Sequence, residues 1–219
     1  MKFTFGIITS QSINIKILNS IYEQSIPEFE IIIVGGDPLI GYPNLTHIPF
    51  NDNEFKYTRK KNIITREAKY NNILYMHDYF YLMDNWYSGF LKFGDDWDIC
   101  MNKIYNSDNS RFRDWCALDD PEINYPYGGI KKGWGSNHRI MLPPYNYDKK
   151  RYMYISGGFW IAKKYMMEKE PLNESLGWGE SEDIEWSKRV LPKYNYKINT
   201  YSSVKSLKYK KLSAEYLEY

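Results

Sequence analysis

Phe29-Glu30-Ile31-Ile32-Ile33-Val34-Gly35-Gly36-Asp37-Pro38 is the stretch that decides how this chain folds. A short unbroken apolar run closed by Gly-Gly-Asp-Pro describes a strand buried on both faces, the kind found inside a parallel sheet. Upstream, Phe3 to Ile8 is a second such run, too short for a helix. Between the two, Ile13, Ile17, Leu18, Ile21 and Tyr22 recur at helical spacing; Thr9-Ser10 is placed to cap that helix and Pro27 to stop it. Strand, helix and strand in this order call for a right-handed crossover in a parallel sheet. Gly35 to Pro38 then turns the chain at a strand's carboxyl end, where open α/β sheets bind ligands.

The pattern continues downstream. Thr46 to Pro49 reads as a short strand, Tyr57 to Tyr70 as a helix, and Asn72 to Met76 as a strand that delivers His77-Asp78-Tyr79 to the same sheet edge. Asp84-Asn85-Trp86 opens another helix, and Trp97 to Met101 is a further strand. From 105 to 148, Gly, Pro, Asn, Asp and aromatics replace periodicity, which predicts an ordered, irregular binding loop. Tyr152 to Ala162 is strand-like, broken at Gly157-Gly158 and followed by a helix, and Glu182 to Leu191 is helical up to Pro192. The basic, aromatic tail from Lys205 is open to three readings: a docking helix, a contact with a membrane surface, or a frayed end. The whole, 1–219, is expected to be one α/β domain, with a nucleotide-binding half (1–101) and an acceptor-binding half (102–219).

Composition narrows the function classes. Lys plus Arg (29) nearly balances Asp plus Glu (27), so there is no bulk field for nucleic acid. Cys100 and Cys116 are the only cysteines and have no zinc spacing, which points to a reducing compartment. No apolar run approaches the roughly 18 residues of a spanning helix, and no signal peptide is evident. A soluble, cytoplasmic protein of a bacterium or of a virus-infected cell is therefore expected. The 22 Tyr accompany abundant Asn, Lys and Ile, as an AT-rich coding sequence would give, so only aromatics beside the site count as sugar-stacking candidates.

Four segments carry chemistry. At Gly36-Asp37, a backbone without Cβ admits a flat base and a carboxylate can accept from a ring N–H; an ordinary turn is the plainer alternative. Arg59, Lys60, Lys61 and Asn62 open a helix and put cations where phosphates bind, unless they form a solvated charge run. Asp78, at a strand end, can hold a divalent ion, Mn²⁺ or Mg²⁺, with His77 as second ligand; a strand-ending turn is the alternative. Gly177-Trp178-Gly179-Glu180-Ser181-Glu182-Asp183 leads into a helix that Ser181 can cap, with carboxylates against its positive end. Asp183 is the expected general base and Glu182 the ligand of sugar hydroxyls, whereas Glu185 and Arg189, four apart, can simply pair.

Taken together, these segments resemble the GT-A fold glycosyltransferases, in particular the inverting family 2 type. NSIYEQSIPEFEIIIVGGD is similar to that family's first helix and the strand ending in its uridine-binding Asp. YTRKKNIITREAKYNNILYMHDYFYLMDNW is similar to its Arg-Asn helix and DXD-bearing strand, GGFWIAKK to the Gly-rich strand under the donor sugar, and LGWGESEDIEWSKRV to its catalytic-base segment. The last is also similar to the Trp-Gly-Gly-Glu-Asp of β-1,4-galactosyltransferases. The resemblance implies a Rossmann-like fold with a mostly parallel central sheet flanked by helices. It also implies a donor site of Thr9, Gly36, Asp37, Arg59, Lys61, Asn62, His77, Asp78, Gly157, Gly158 and Trp178. Trp178 or Trp160 would stack the sugar. The chain departs from the family at His77-Asp78-Tyr79, where only the central acid of three is kept, and at Gly35-Gly36-Asp37, where the family has Asp-Asp-Gly. His138, in the unmatched 105–148 segment, is read as structural, with a third metal ligand or an acceptor contact as alternatives.

The expected function is inverting transfer of a sugar from a nucleotide-sugar donor, UDP-linked, to a hydroxyl of a glycan or glycoprotein acceptor. One rival is a non-catalytic module that binds glycans or nucleotide-sugars. Another is a sugar nucleotidyltransferase, which needs a Gly-rich basic loop where this chain has Ile8-Thr9-Ser10-Gln11.

Overall fold

The structure is a computed structural model that describes residues 1–51, 53, 56–120, 140–177, 179–211 and 215–216. In chain order the strands of its main sheet are β1 (Phe3–Ile8), β2 (Phe29–Val34), β3 (Leu45–Ile48), β4 (Asn72–His77), β5 (Phe80–Leu82), β6 (Ile99–Tyr105), β10 (Phe159–Lys163) and β11 (Tyr196–Ser206). Side by side they run β3-β2-β1-β4-β10-β6-β11-β5. A smaller sheet, β12-β8-β7-β9, is made by β7 (Cys116–Leu118), β8 (Ile140–Leu142), β9 (Met153–Tyr154) and β12 (Glu215–Tyr216). The helices are α1 (Ile15–Tyr22), α2 (Tyr57–Glu67), α3 (Trp86–Phe93), α4 (Lys164–Lys169) and α5 (Glu182–Val190).

The expected α/β architecture is present. β1 pairs in parallel with β2 and β4, β2 with β3, and β6 with β11; β10 runs antiparallel between β4 and β6, and β5 antiparallel to β11. Strands from both halves of the sequence thus interleave in one sheet. β1 and the last four residues of β2 are fully buried, as their unbroken apolar runs require. The core continues through Trp86 and Phe90 of α3 to a stack in which Trp160 lies between Tyr75 and Trp186, centroids 4.3 and 4.7 Å away.

Register builds the working edge. Ile8 lies level with Val34 on one side and with His77 on the other, so the three parallel strands end together. Phe159 of β10 is opposite Met76, which sets the preceding Gly157-Gly158 beside the end of β4, where the His77 amide donates to the Gly158 carbonyl at 3.0 Å.

Local details differ from expectation where side chains found other partners. Asn14, not Thr9 or Ser10, caps α1, accepting from the Lys16 amide. The helix stops at Tyr22, before Pro27, and the chain then turns through Ser25 at φ 54°. Ser181 precedes α5 in the left-handed region (φ 59°) and makes no side-chain cap. The tail is neither frayed nor helical over its described residues. β11 runs to Ser206, the Leu207 amide donates to the Tyr79 carbonyl at 2.7 Å, and Lys210 lies over the Tyr79 ring, so residues 207–211 pass beside Tyr79. No described helix is long and apolar enough to cross a membrane.

Candidate active site

Where β1, β2 and β4 end, the next residues meet. Thr9 Oγ1 donates to Asp78 Oδ2 at 2.7 Å, the Gln11 side-chain amide reaches the same oxygen at 3.3 Å, and the Gln11 backbone amide donates to Thr9 Oγ1 at 3.1 Å. Gly36 (φ 69°) lies so close that a Cβ would sit 2.4 Å from the Gln11 carbonyl oxygen, and Ser12 Oγ donates to the exposed Asp37 carboxylate. Thr9, Gly36, Asp37 and Asp78 therefore form one cluster. Gly36 serves its packing, and Asp37 is the exposed group at its rim.

The second cluster surrounds a cavity of about 560 Å³ beside this edge. Gly157, Gly158, Glu182, Asp183 and His77 line it. Asp183 is gripped from two sides: Oδ2 accepts from the Gly157 amide at 3.1 Å and Oδ1 from the Ile184 amide at 2.9 Å. A Cβ on Gly157 would lie 3.0 Å from Asp183 Oδ2 and 3.2 Å from Glu182 Oε1, so glycine lets these carboxylates approach the loop. Burial raises the Glu182 carboxyl above its ordinary value; the Lys61 ammonium opposes this and Asp183 adds to it. Glu185 pairs with Arg189 at 3.0 Å, away from the cavity.

The basic helix α2 plays a different part from the one expected. Lys60 and Lys61 are each 1 % exposed. Lys60 Nζ donates to the Thr9 carbonyl and Lys61 Nζ to the Gly157 carbonyl, the latter at 2.7 Å. Burial lowers the Lys61 ammonium, while Glu182 and Asp183 support its charge. Asn62 fastens the segment before α5, donating to the Leu172 carbonyl at 2.9 Å and to Glu174 at 3.0 Å and accepting from the Leu172 amide at 3.1 Å. Thr58 adds a bond to the Leu176 carbonyl at 3.0 Å. Lys61 and Asn62 thus brace the glycine loop and the acidic segment. Arg59 is exposed against the Phe50 ring, 5.8 Å from its centroid, and does not reach the cavity. Trp160 is fully buried and cannot stack a sugar; Trp178 and His138 lie outside the described residues.

His77 and Asp78 diverge, as successive residues at a strand end do. The His77 ring packs edge-on to Tyr57 and tilted on Tyr79, centroids 5.2 and 5.5 Å away. Burial lowers its pKa well below the usual histidine value, and Lys61, Lys210 and Lys60 push the same way. The donor set does not fit a divalent metal centre. Asp78 is a single carboxylate with one oxygen already accepting two hydrogen bonds, His77 faces the other cluster, and Lys61, Lys210 and Lys60 all act against positive charge at His77. No group of three or more His, Cys, Asp or Glu is placed to hold a metal among the described residues.

The sequence reading missed two basic residues that line the cavity, Arg113 and Lys210. Lys210 Nζ sits 3.5 Å above the Tyr79 ring centroid. Burial, Arg113 and Lys208 lower its pKa to about 8, and Asp78 acts in the opposite sense. The signal was the run of basic residues after β11, which does not by itself say where that run lands.

No protein-family model and no curated protein matches the chain. Solved structures do. A Staphylococcus aureus TarS 1–349 structure in complex with UDP superposes with a TM-score of 0.61 at 15 % identity over 94 % of this chain and 60 % of that one. The same protein in complex with UDP-GlcNAc gives 0.59 at 15 % identity over 99 % of this chain and 62 % of that one. This chain therefore spans about three-fifths of their length, and what it shares with them is the fold.

Proposed function

We propose that this chain is an inverting glycosyltransferase that moves a sugar from a UDP-linked donor to a hydroxyl of a glycan or glycoprotein acceptor. The observation that carries the reading is Asp183, held by the Gly157 amide in the wall of the 560 Å³ cavity next to the Thr9–Asp78 edge. The likeness to a fold that has been solved with UDP and with UDP-GlcNAc supports the same donor class.

In this account the nucleoside lies against the exposed Asp37 and the edge formed by Thr9 and Gly36, and the sugar passes Gly157-Gly158 into the cavity. The acceptor hydroxyl gives its proton to Asp183 as its oxygen bonds to the anomeric carbon. The bond from that carbon to the phosphate oxygen breaks on the opposite face, and the nucleoside diphosphate carries away the electron pair. Glu182, one residue earlier on the helix, accepts from sugar hydroxyls. Lys61 supports both carboxylates from behind. No divalent ion is assigned to Asp78 and His77 in this reaction, because of the donor set described above.

The test is release of free nucleoside diphosphate from a panel of UDP-, GDP- and dTDP-sugars. Slow hydrolysis of one UDP-sugar is expected. Binding without release, with or without added glycan acceptors, would favour a non-catalytic binding module, and no binding on the whole panel would overturn the transferase reading.

A further inference from the structure

A transferase of this kind must neutralise the diphosphate as it leaves, and the metal-type donors at His77-Asp78 are not arranged for that. The basic side chains lining the same cavity beside Tyr79 are. Lys210 is held there by a backbone clamp: its amide donates to Asn106 Oδ1 at 3.0 Å, and the Asn106 amide nitrogen donates to its carbonyl at 3.1 Å. Asn106 itself is 1 % exposed and anchored by its own backbone bond to Ser110 at 2.8 Å. With Leu207 fixed to Tyr79, both ends of the 207–211 segment are tied. Lys210 Nζ rests on the Tyr79 ring with no hydrogen bond or ion pair of its own among the described residues. Arg113 lines the cavity close enough to depress it. A half-buried ammonium that no carboxylate contacts directly is unfavourable, and an anionic ligand in the cavity would offset that cost.

We infer that residues 207–211 form a phosphate-binding strap in which Lys210, aided by Arg113, binds the diphosphate of the donor and replaces the divalent ion. This rests on the transferase reading and adds to it where the leaving group is held and by what. Two cationic side chains facing a diphosphate give charge-assisted bonds that need no metal bridge.

The experiment is calorimetric titration with UDP in EDTA and again in MnCl₂, for wild type, Lys210→Gln, Lys210→Arg and Arg113→Gln, each first checked for a native melt, with GDP and dTDP titrated into wild type under both conditions. Wild type should bind UDP in EDTA. Lys210→Gln should lose about 10-fold in affinity, the size expected for one charge-assisted contact. Lys210→Arg should retain most of it, which a merely structural role for the lysine backbone would not distinguish from Gln. UDP binding that requires Mn²⁺ and ignores both Lys210 variants would overturn the strap while leaving the transferase reading intact. Failure of UDP, GDP and dTDP to bind under either condition would overturn both.

Discussion

Gly157 and Asp183 are joined by a 3.1 Å hydrogen bond from backbone amide to Oδ2, and the carbonyl of the same glycine takes Lys61 Nζ at 2.7 Å. One residue of a loop thereby fixes the base candidate on α5 and the buried cation on α2. The acidic segment is held at the sheet edge by the bracket of α2 and the glycine loop, more than by its own helix start.

Gly157→Ala tests this contact. The added Cβ would press on Asp183 Oδ2 at 3.0 Å and on Glu182 Oε1 at 3.2 Å, and no positive φ forbids alanine there. The variant should fold with a nearly unchanged melting temperature, and because the carboxylates need give only slightly, turnover should fall about 10-fold, short of the roughly 10²-fold of a 1 Å misplacement. Unimpaired nucleotide release would place the chemistry elsewhere.

Asn62→Ala separates bracing from binding. Losing three bonds to the 172–174 segment should cost about 2–4 kcal/mol in denaturant unfolding, with UDP affinity preserved in the folded protein. A specific loss of UDP affinity at unchanged stability would return Asn62 to the donor site.

His77 predicts an acid sensitivity. Its folded pKa is depressed, so below the unfolded value of about 6.5 the denatured chain takes up a proton that the folded site refuses. The stability that this neutral histidine permits is therefore full above about pH 6.5 and declines as pH falls below it, by at most about 1.4 kcal/mol per pH unit. In EDTA, urea midpoints between pH 7.5 and 5 should fall more steeply for wild type than for His77→Gln; parallel slopes would contradict the buried, lysine-surrounded placement.

What was legible in the sequence follows from how many constraints each residue announces locally. β1, β2 and β4 are buried on both faces, so their apolar runs marked them and the edge they share. Lys60 and Lys61 were misread because a charge run looks solvated, whereas their amines reach carbonyls 51 and 96 positions away. Trp160 looked like a stacking plate until β10 proved to run between β4 and β6, which seals it between Tyr75 and Trp186. Lys210 was visible only as part of a basic tail, because its position depends on Asn106, 104 residues earlier. Residues placed by contacts this remote leave no local pattern.

The most direct test of the central claim is Asp183→Asn, followed by nucleoside diphosphate release from the preferred UDP-sugar and by UDP binding on the same preparation. Loss of a general base should lower turnover about 10²–10⁴-fold while UDP binds as to wild type. Turnover equal to wild type would contradict the account.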